Sequence, residues 1–335
     1  MANDASQGKR LETQQSLTST LPSELTLDFL KKITNDFSPD RKIGQSAFGT
    51  YYKGILDNNG GILAVKKLAE NSPLPRDISF ANEVTNLMAL EHENITKLVG
   101  FCREAHTKVV QRQGRYVAVN IDECLLCYKY RPNASLDLHL FDKTREIDWD
   151  KRFKIVKGIC NGLRYLHKGL SKPIIHMNLV PNSIWLDDNW VPKIADFGLS
   201  RLFGGEKTRA YTMNVVGQNG YMAPEYLFQG EISTGLDIYS LGMIILEIVT
   251  GERNCGNSED RAATKFVDKV RQDWKKDDDI ICKYPSLTDF GLDQVKACIV
   301  VALKCLEADP NKRPSIEDII DKLNGKIVLI FQQHK

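Results

Sequence analysis

A chain of 335 residues is too long for one small core and short for three domains, so two packed lobes or one large domain is expected. Apolar residues at 42% and charged residues at 26% imply a folded protein, and 45 Lys+Arg against 43 Asp+Glu leave a net charge of +2, without the basic footprint of a dedicated nucleic-acid binder. No window reaches the roughly 18 uninterrupted apolar residues of a membrane span. The nearest, residues 241–249, is broken by Glu247 and closed by Gly251.

Residues 1–22 are polar, rich in Ser, Thr and Gln, and read as a disordered tail. Met1-Ala2-Asn3-Asp4 lacks a signal peptide's apolar core, and Ala2 is not the glycine that myristoylation needs. Between 23 and 40, Leu25, Leu27, Phe29, Leu30, Ile33 and Phe37 suggest a short, juxtamembrane-like amphipathic helix that docks on the strand-rich segment after it, broken by Ser38-Pro39-Asp40. From 41 to 131, short apolar stretches (50–53, 62–66, 98–102, 116–119 and 125–130) read as strands between turns such as Asn58-Asn59-Gly60-Gly61. One helix interrupts them, with Phe80, Val84, Leu87, Met88 and Leu90 at helical spacing and Asp77 as its candidate cap.

From 132 to 325 helices dominate. Residues 149–167 bury a face of Phe153, Val156, Cys160 and Leu163. Residues 236–250 are apolar all round and should be central. Residues 293–306 form another helix, and Pro314-Ser315 opens a last one that ends near Leu323, leaving 326–335 as a C-terminal tail. A small strand-rich lobe followed by a larger helical lobe is an α+β arrangement with a cleft between.

The eight cysteines (Cys102, Cys124, Cys127, Cys160, Cys255, Cys282, Cys298 and Cys305) sit mostly in apolar runs and read as buried, reduced thiols of a cytosolic protein. Cys124-Leu-Leu-Cys127 has metal-knuckle spacing, but no second pair follows at zinc-site distance and its neighbours read as a strand, so core filling is expected. The mixed-charge run Lys275-Lys276-Asp277-Asp278-Asp279 reads as a solvated loop.

Several phrases then point one way. Phe80-Ala-Asn-Glu83-Val, Ile174-Ile-His176, Lys193-Ile-Ala-Asp196-Phe197-Gly198 and Gly220-Tyr-Met-Ala223-Pro224-Glu225-Tyr stand in this order along the chain. In their order and spacing, residues 41–325 resemble a eukaryotic protein kinase domain, most closely the cytoplasmic kinase region of plant receptor-like kinases. The resemblance implies a bilobal protein-kinase-like fold, with a small β-rich N-lobe and a large helical C-lobe. It assigns Lys66 to the strand lysine that contacts the α/β phosphates of ATP and Glu83 to the helix carboxylate that pairs with it. Gly44 and Gly49 bound the glycine loop, whose middle glycine is replaced by Ser46; a Cβ there restricts φ and keeps the backbone further from the phosphates. Tyr51, Ala64, Tyr130 and Trp185 are assigned to the nucleotide site. Tyr51 stands for a Val that roofs adenine and Trp185 for a Leu on the floor, so two aromatics are expected to fill the slot themselves. In the alternative, Tyr51 turns to solvent and Trp185 stacks on the base. Asp196 is the magnesium ligand that remains.

The catalytic loop departs further. The family has His-Arg-Asp-Leu-Lys-Pro-x-Asn; this chain has His176-Met177-Asn178-Leu179-Val180-Pro181-Asn182-Ser183. Asn178 replaces the Asp that takes or orients the substrate hydroxyl's proton, and an amide has negligible basicity. Val180 replaces the Lys that neutralises the moving phosphoryl, and Ser183 replaces a metal-binding Asn. Met177 replaces the Arg that reads activation-loop phosphate, so phosphorylation at Thr208, Tyr211 or Thr212 lacks its usual reader. Gln218 stands where a Thr usually braces the loop. Scaffold residues are kept: His176, Phe197 and Leu87 of the spine, Asp237 beneath the loop, and the Glu225–Arg313 pair.

The resemblance with these losses implies a plant receptor-like-kinase-type pseudokinase. No catalytic residue is intact, and ATP and magnesium bind weakly or not at all. Such a protein acts as a scaffold, allosteric partner or decoy in signalling, with immunity as the family's setting. The implied partners are other proteins, an active kinase or a pathogen effector, with neither nucleic acid nor a membrane span. The implied location is cytoplasmic, with the nucleus as a second compartment. Two alternatives stand beside this reading: a weakly active serine/threonine protein kinase using Lys66, Asp196 and substrate-assisted proton transfer, and an ATP-binding nucleotide-sensing switch.

Overall fold

The computed structural model describes residues 21–56, 61–112, 114–145, 147–203, 209–254, 262–274 and 276–325. Residues 1–20 and 326–335 of the expected tails lie outside these, as do Asn58-Asn59-Gly60, Thr208, Cys255 and Lys275. The chain forms two units. The first takes the chain to Glu91, with Thr96–Arg131 and Phe197–Leu199; the second takes His92–Ile95, Pro132–Asp196 and the chain from Ser200.

The first unit is built on a six-stranded sheet in the order β1-β5-β6-β4-β3-β2. Its strands are β1 (Ser23–Glu24), β2 (Lys42–Ser46), β3 (Gly49–Ile55), β4 (Ile62–Leu68), β5 (Leu98–Arg112) and β6 (Arg115–Lys129). All neighbours are antiparallel except β1 beside β5. Two helices accompany it, α1 (Leu27–Thr34) and α2 (Arg76–Met88). In α1, Thr26 Oγ1 caps the N-terminus by accepting from Phe29 N. Leu27, Leu30 and Ile33 follow at helical spacing and bury against Leu63, Val65, Cys102, Leu125 and Cys127. The helix stops earlier than Ser38-Pro39-Asp40, because Asn35, Asp36 and Phe37 all adopt left-handed backbone. Asp77 does not cap α2. Pro75 takes that position without a side-chain bond, and Asp77 lies in the first turn, where its charge suits the helix dipole.

The stretches expected as separate strands at 98–102, 116–119 and 125–130 belong to one long hairpin. Its register runs from Leu98↔Tyr128 to Arg112↔Arg115 and turns at Gly114, whose φ is 78. Pairing of β4 with β6 ends at Lys67↔Leu125. From Arg103↔Cys124 outward the hairpin is therefore a two-stranded ribbon. The polar stretch after Cys102 hides this from a window reading, since what holds it are cross-strand pairs such as Thr107 and Asn120, 2.9 Å apart at their side-chain oxygens.

The second unit carries α3 (Leu136–Leu140), α4 (Trp149–Lys168), α5 (Pro224–Gln229), α6 (Thr234–Thr250), α7 (Ala262–Asp273), α8 (Asp277–Lys283), α9 (Asp289–Cys305) and α10 (Ile316–Leu323). Three short ribbons join them: β7 (Ile174–Ile175) with β10 (Arg201–Leu202), β8 (Ile184–Leu186) with β9 (Pro192–Ile194), and β11 (Ala210–Tyr211) with β12 (Glu231–Ile232). Helix α6 is buried along nearly its whole length, as its all-round apolar sequence requires. Gly242 admits α9, since a Cβ there would lie 2.7 Å from Cys305 Cβ. Within the charge run expected as a loop, Lys276 is the N-cap and Asp277-Asp278-Asp279 the first turn of α8, with Asp277 Oδ1 2.7 Å from Lys296 Nζ. Among the described cysteines, Cys282 is exposed and the rest are buried. Burial pushes the Cys102 and Cys160 thiols up to about 12. Cys124 and Cys127, three apart on β6, point to opposite faces of the sheet.

Leu30 is the centre of the α1 contact and has no exposed surface. Its replacement by Ala is expected to lower unfolding free energy in urea by about 2–5 kcal/mol. A loss below about 0.5 kcal/mol would mean that α1 is not part of this core.

Candidate functional site

The antiparallel registers put the first group of residues on one face of the sheet. Tyr51 on β3 pairs with both Gly44 and Lys66, and Ala64 on β4 pairs with Tyr128 on β6. Alternation along each strand then brings Gly44, Tyr51, Ala64, Lys66 and Tyr128 to the same side, with Tyr130 following Tyr128 by two. Lys66 Nζ donates to Glu83 Oε2 of α2 at 2.8 Å, and both side chains are 0% exposed. Tyr128 OH donates to the other carboxylate oxygen at 2.5 Å. Tyr51 is 7% exposed and its ring centre lies 5.7 Å from Lys66 Nζ, so the side chain is turned toward the lysine rather than to solvent. Lys53 Nζ lies 5.5 Å from the Tyr130 ring.

The glycine loop is partly self-satisfied. Ser46 Oγ accepts from Phe48 N at 3.3 Å and occupies a loop N–H. Gly49 is required by packing, since a Cβ would meet Lys67 O at 2.5 Å, whereas at Gly44 a Cβ finds only ordinary contact with Tyr51. Beside Glu83, Gly198 admits α2: Asn82 Nδ2 donates to its carbonyl at 3.0 Å.

In the helical unit, the loop between β7 and β8 is organised around Asp237 of α6. Its Oδ2 accepts from His176 N and meets His167 Nε2, both at 2.8 Å, and its Oδ1 accepts from Met177 N at 2.9 Å. Burial alone would raise this carboxyl; the hydrogen bonds and the neighbouring imidazoles hold it below the usual range. Burial lowers the pKa of His176. Its Nδ1 accepts from Asn178 N at 3.3 Å, so the proton sits on Nε2 and is donated to Ala195 O at 2.8 Å.

Asn178, Val180, Ser183, Trp185 and Asp196 are all buried in this unit. Ser183 Oγ donates to Val180 O at 2.8 Å and accepts from Val180 N at 3.1 Å, so its hydroxyl closes the loop on itself. Asp196 has left-handed backbone, with φ 66. Trp185 pairs with Lys193 across β8 and β9. Asn178 and Val180 face Gln218, Tyr221 and Met222 across a crevice of only about 10 Å³. The magnesium set that a kinase fold implies is not met here. Asp196 is the one carboxylate assigned to the metal, Glu83 is paired with Lys66, the Ser183 hydroxyl is engaged, and magnesium prefers several well-placed oxygens.

Two features of this machinery escaped the sequence. Tyr128 is the third member of the Lys66–Glu83 group, and its only signal is the parity it shares with Leu126 and Tyr130. The other is the anchor of the segment after Gln218. Tyr221 OH donates to the Glu247 carboxylate at 2.9 Å, Asn254 N donates to Glu247 Oε1 at 2.7 Å, and Ser240 Oγ donates to Tyr221 O at 2.7 Å. Burial pushes Glu247 up to about 7, against the downward pull of these hydrogen bonds. Its stabilisation is therefore complete below its ordinary value of 4.5 and fades as pH rises through about 7. Glu247→Gln is expected to melt above the wild type at about pH 8, with the gap closing by about pH 4.5. A gap independent of pH would contradict this.

The model of the protein kinase domain matches residues 37–323. The chain is 36% identical over 308 residues to Cysteine-rich receptor-like protein kinase 44 of Arabidopsis thaliana, covering 90% of this chain and 76% of that protein. It is 36% identical over 307 residues to Cysteine-rich receptor-like protein kinase 6 of Oryza sativa subsp. japonica, covering 91% and 42%. It is 37% identical over 316 residues to Receptor-like serine/threonine-protein kinase SD1-7 of Arabidopsis thaliana, covering 92% and 35%. The chain thus spans less than half the length of the last two relatives. It belongs to the protein kinase family, in its plant receptor-like branch. The strand-rich unit is the N-lobe of that fold and the helical unit its C-lobe. Among the described residues, no helix is long and apolar enough to cross a membrane.

Proposed function

We propose that this chain is a receptor-like-kinase-type pseudokinase, a kinase fold used as a protein-binding scaffold or allosteric partner with little or no phosphoryl transfer. The observation that carries the reading is the catalytic loop. Asn178 has no basic group, Val180 has no charge, and the Ser183 hydroxyl is held by Val180. Loss of the base alone removes about 10²–10⁴-fold in rate. The relatives bear the names of kinases, so the reading rests on this chain's own residues. Its nucleotide binding is weak or absent, because Tyr51 is turned toward a fully buried Lys66. Its partners are proteins, an active kinase or a pathogen effector, and its setting by family likeness is cytoplasmic signalling, immunity included.

Purified chain given Mg-ATP and a generic serine/threonine substrate is expected to incorporate no phosphate above a blank. Incorporation that survives repurification and disappears in Lys66→Met would overturn the proposal. Combining Asn178→Asp, Val180→Lys and Ser183→Asn with Tyr51→Val should raise transfer by at least about 10²-fold.

Nucleotide binding is separable from transfer. Mg-ATP should leave the melting temperature of the wild type unchanged and raise that of Tyr51→Val; ligand at about 100 times Kd stabilises by about 2.7 kcal/mol. A wild-type shift as large as the variant's would favour the nucleotide-sensing alternative.

A further inference from the structure

A cavity of about 420 Å³ opens in the C-lobe where the end of α4, β7 and the starts of α6 and α10 meet. Ile175 and Phe203 form part of its apolar wall. Among the described residues, four basic or imidazole side chains also line it, His167, Lys168, Arg209 and Arg313, and no Asp or Glu does.

The acids stand behind the cations, and the geometry decides which cations remain available. Arg313 is spent: its nitrogens donate to both oxygens of Glu225 and to the carbonyls of Glu307, Gly235 and Ala308. His167 is tied through Nε2 to Asp237. Arg209 is only partly engaged. Its Nη1 lies 2.9 Å from Glu231 Oε1 and its Nη2 donates to Asn311 Oδ1 at 2.8 Å, which fixes the planar group and leaves further N–H donors. Lys168 is exposed at the last turn of α4, and no described group pairs with it. The Thr234 hydroxyl on the cavity wall has no described partner either.

We propose that this cavity binds a phosphomonoester with an apolar body. Lys168, the remaining Arg209 donors and the Thr234 hydroxyl take the phosphate, and Ile175 and Phe203 take the apolar part. Several converging donors suit a tetrahedral dianion better than a planar carboxylate. The volume is that of a small-molecule site. The assignment uses none of the residues on which the proposed loss of phosphoryl transfer rests, and it holds whether or not the chain is active.

The probe is phenyl phosphate, which carries no adenine, titrated calorimetrically into the full chain. Saturable binding is expected. Lys168→Ala weakens it about tenfold, while Lys172→Ala, an exposed cation outside the cavity, changes it by less than about twofold. Thermal melts of both variants should match the wild type, since both side chains are exposed. A phosphotyrosine peptide that binds as tightly as phenyl phosphate assigns the site to a protein-borne phosphate. One that binds at least about tenfold more weakly assigns it to a small ester. The proposal is overturned by no saturable heat up to about 10 mM, by equal losses in the two variants, or by phenol binding as tightly as its phosphate ester.

Discussion

Asp237 is a carboxylate shut away from water, and two backbone N–H groups and an imidazole converge on it. A buried anion is tolerable only when compensated in this way. The compensation shapes the loop above it. Met177 is drawn into left-handed backbone, with φ 63, and the His176 ring is aimed at Ala195 next to Asp196. None of these bonds uses the side chains at 178, 180 or 183. The anchor of the loop on Asp237 is thus separable from the chemistry at 178, 180 and 183, although Ser183 adds its own closure onto Val180.

The N-lobe repeats this separation in a different form. Lys66, Glu83 and Tyr128 satisfy one another in a fully enclosed group, and Tyr51 is turned toward the lysine. A buried ion pair of this kind resists the removal of either partner, since the other charge would be left alone away from water. Lys66 and Glu83 therefore also hold α2 against the sheet. The same two residues serve the architecture of the lobe beside any part they take in binding.

Much of this was legible in the chain. The apolar spacing of Leu27, Leu30 and Ile33 announced α1, and the uniform apolarity of α6 announced its burial. What stayed hidden depended on partners distant in sequence. Tyr128 lies in the unbroken run Leu125-Leu126-Cys127-Tyr128, where alternation is silent and no side of the strand is marked. The engagement of Ser183 with Val180 follows from loop geometry, which residue identity does not report. The length of the β5–β6 hairpin was lost because its middle is polar on both strands, and strand propensity there is set by cross-strand pairing.

That hairpin has a consequence for how the N-lobe breathes. Near its base, β6 is flanked by β4 and β5, so opening there must break bonds on two sides. Beyond Leu125 the backbone pairs only β5 with β6, and past the Glu104↔Glu123 rung, which Leu27 N and Lys67 Nζ still tie to the lobe, each pair leans mainly on its neighbours. Separation can therefore begin at Gly114 and travel inward one rung at a time, each rung adding its own small cost, until it meets the three-stranded part and halts. The outer ribbon unzips gradually, while the sheet beneath it yields only as a whole.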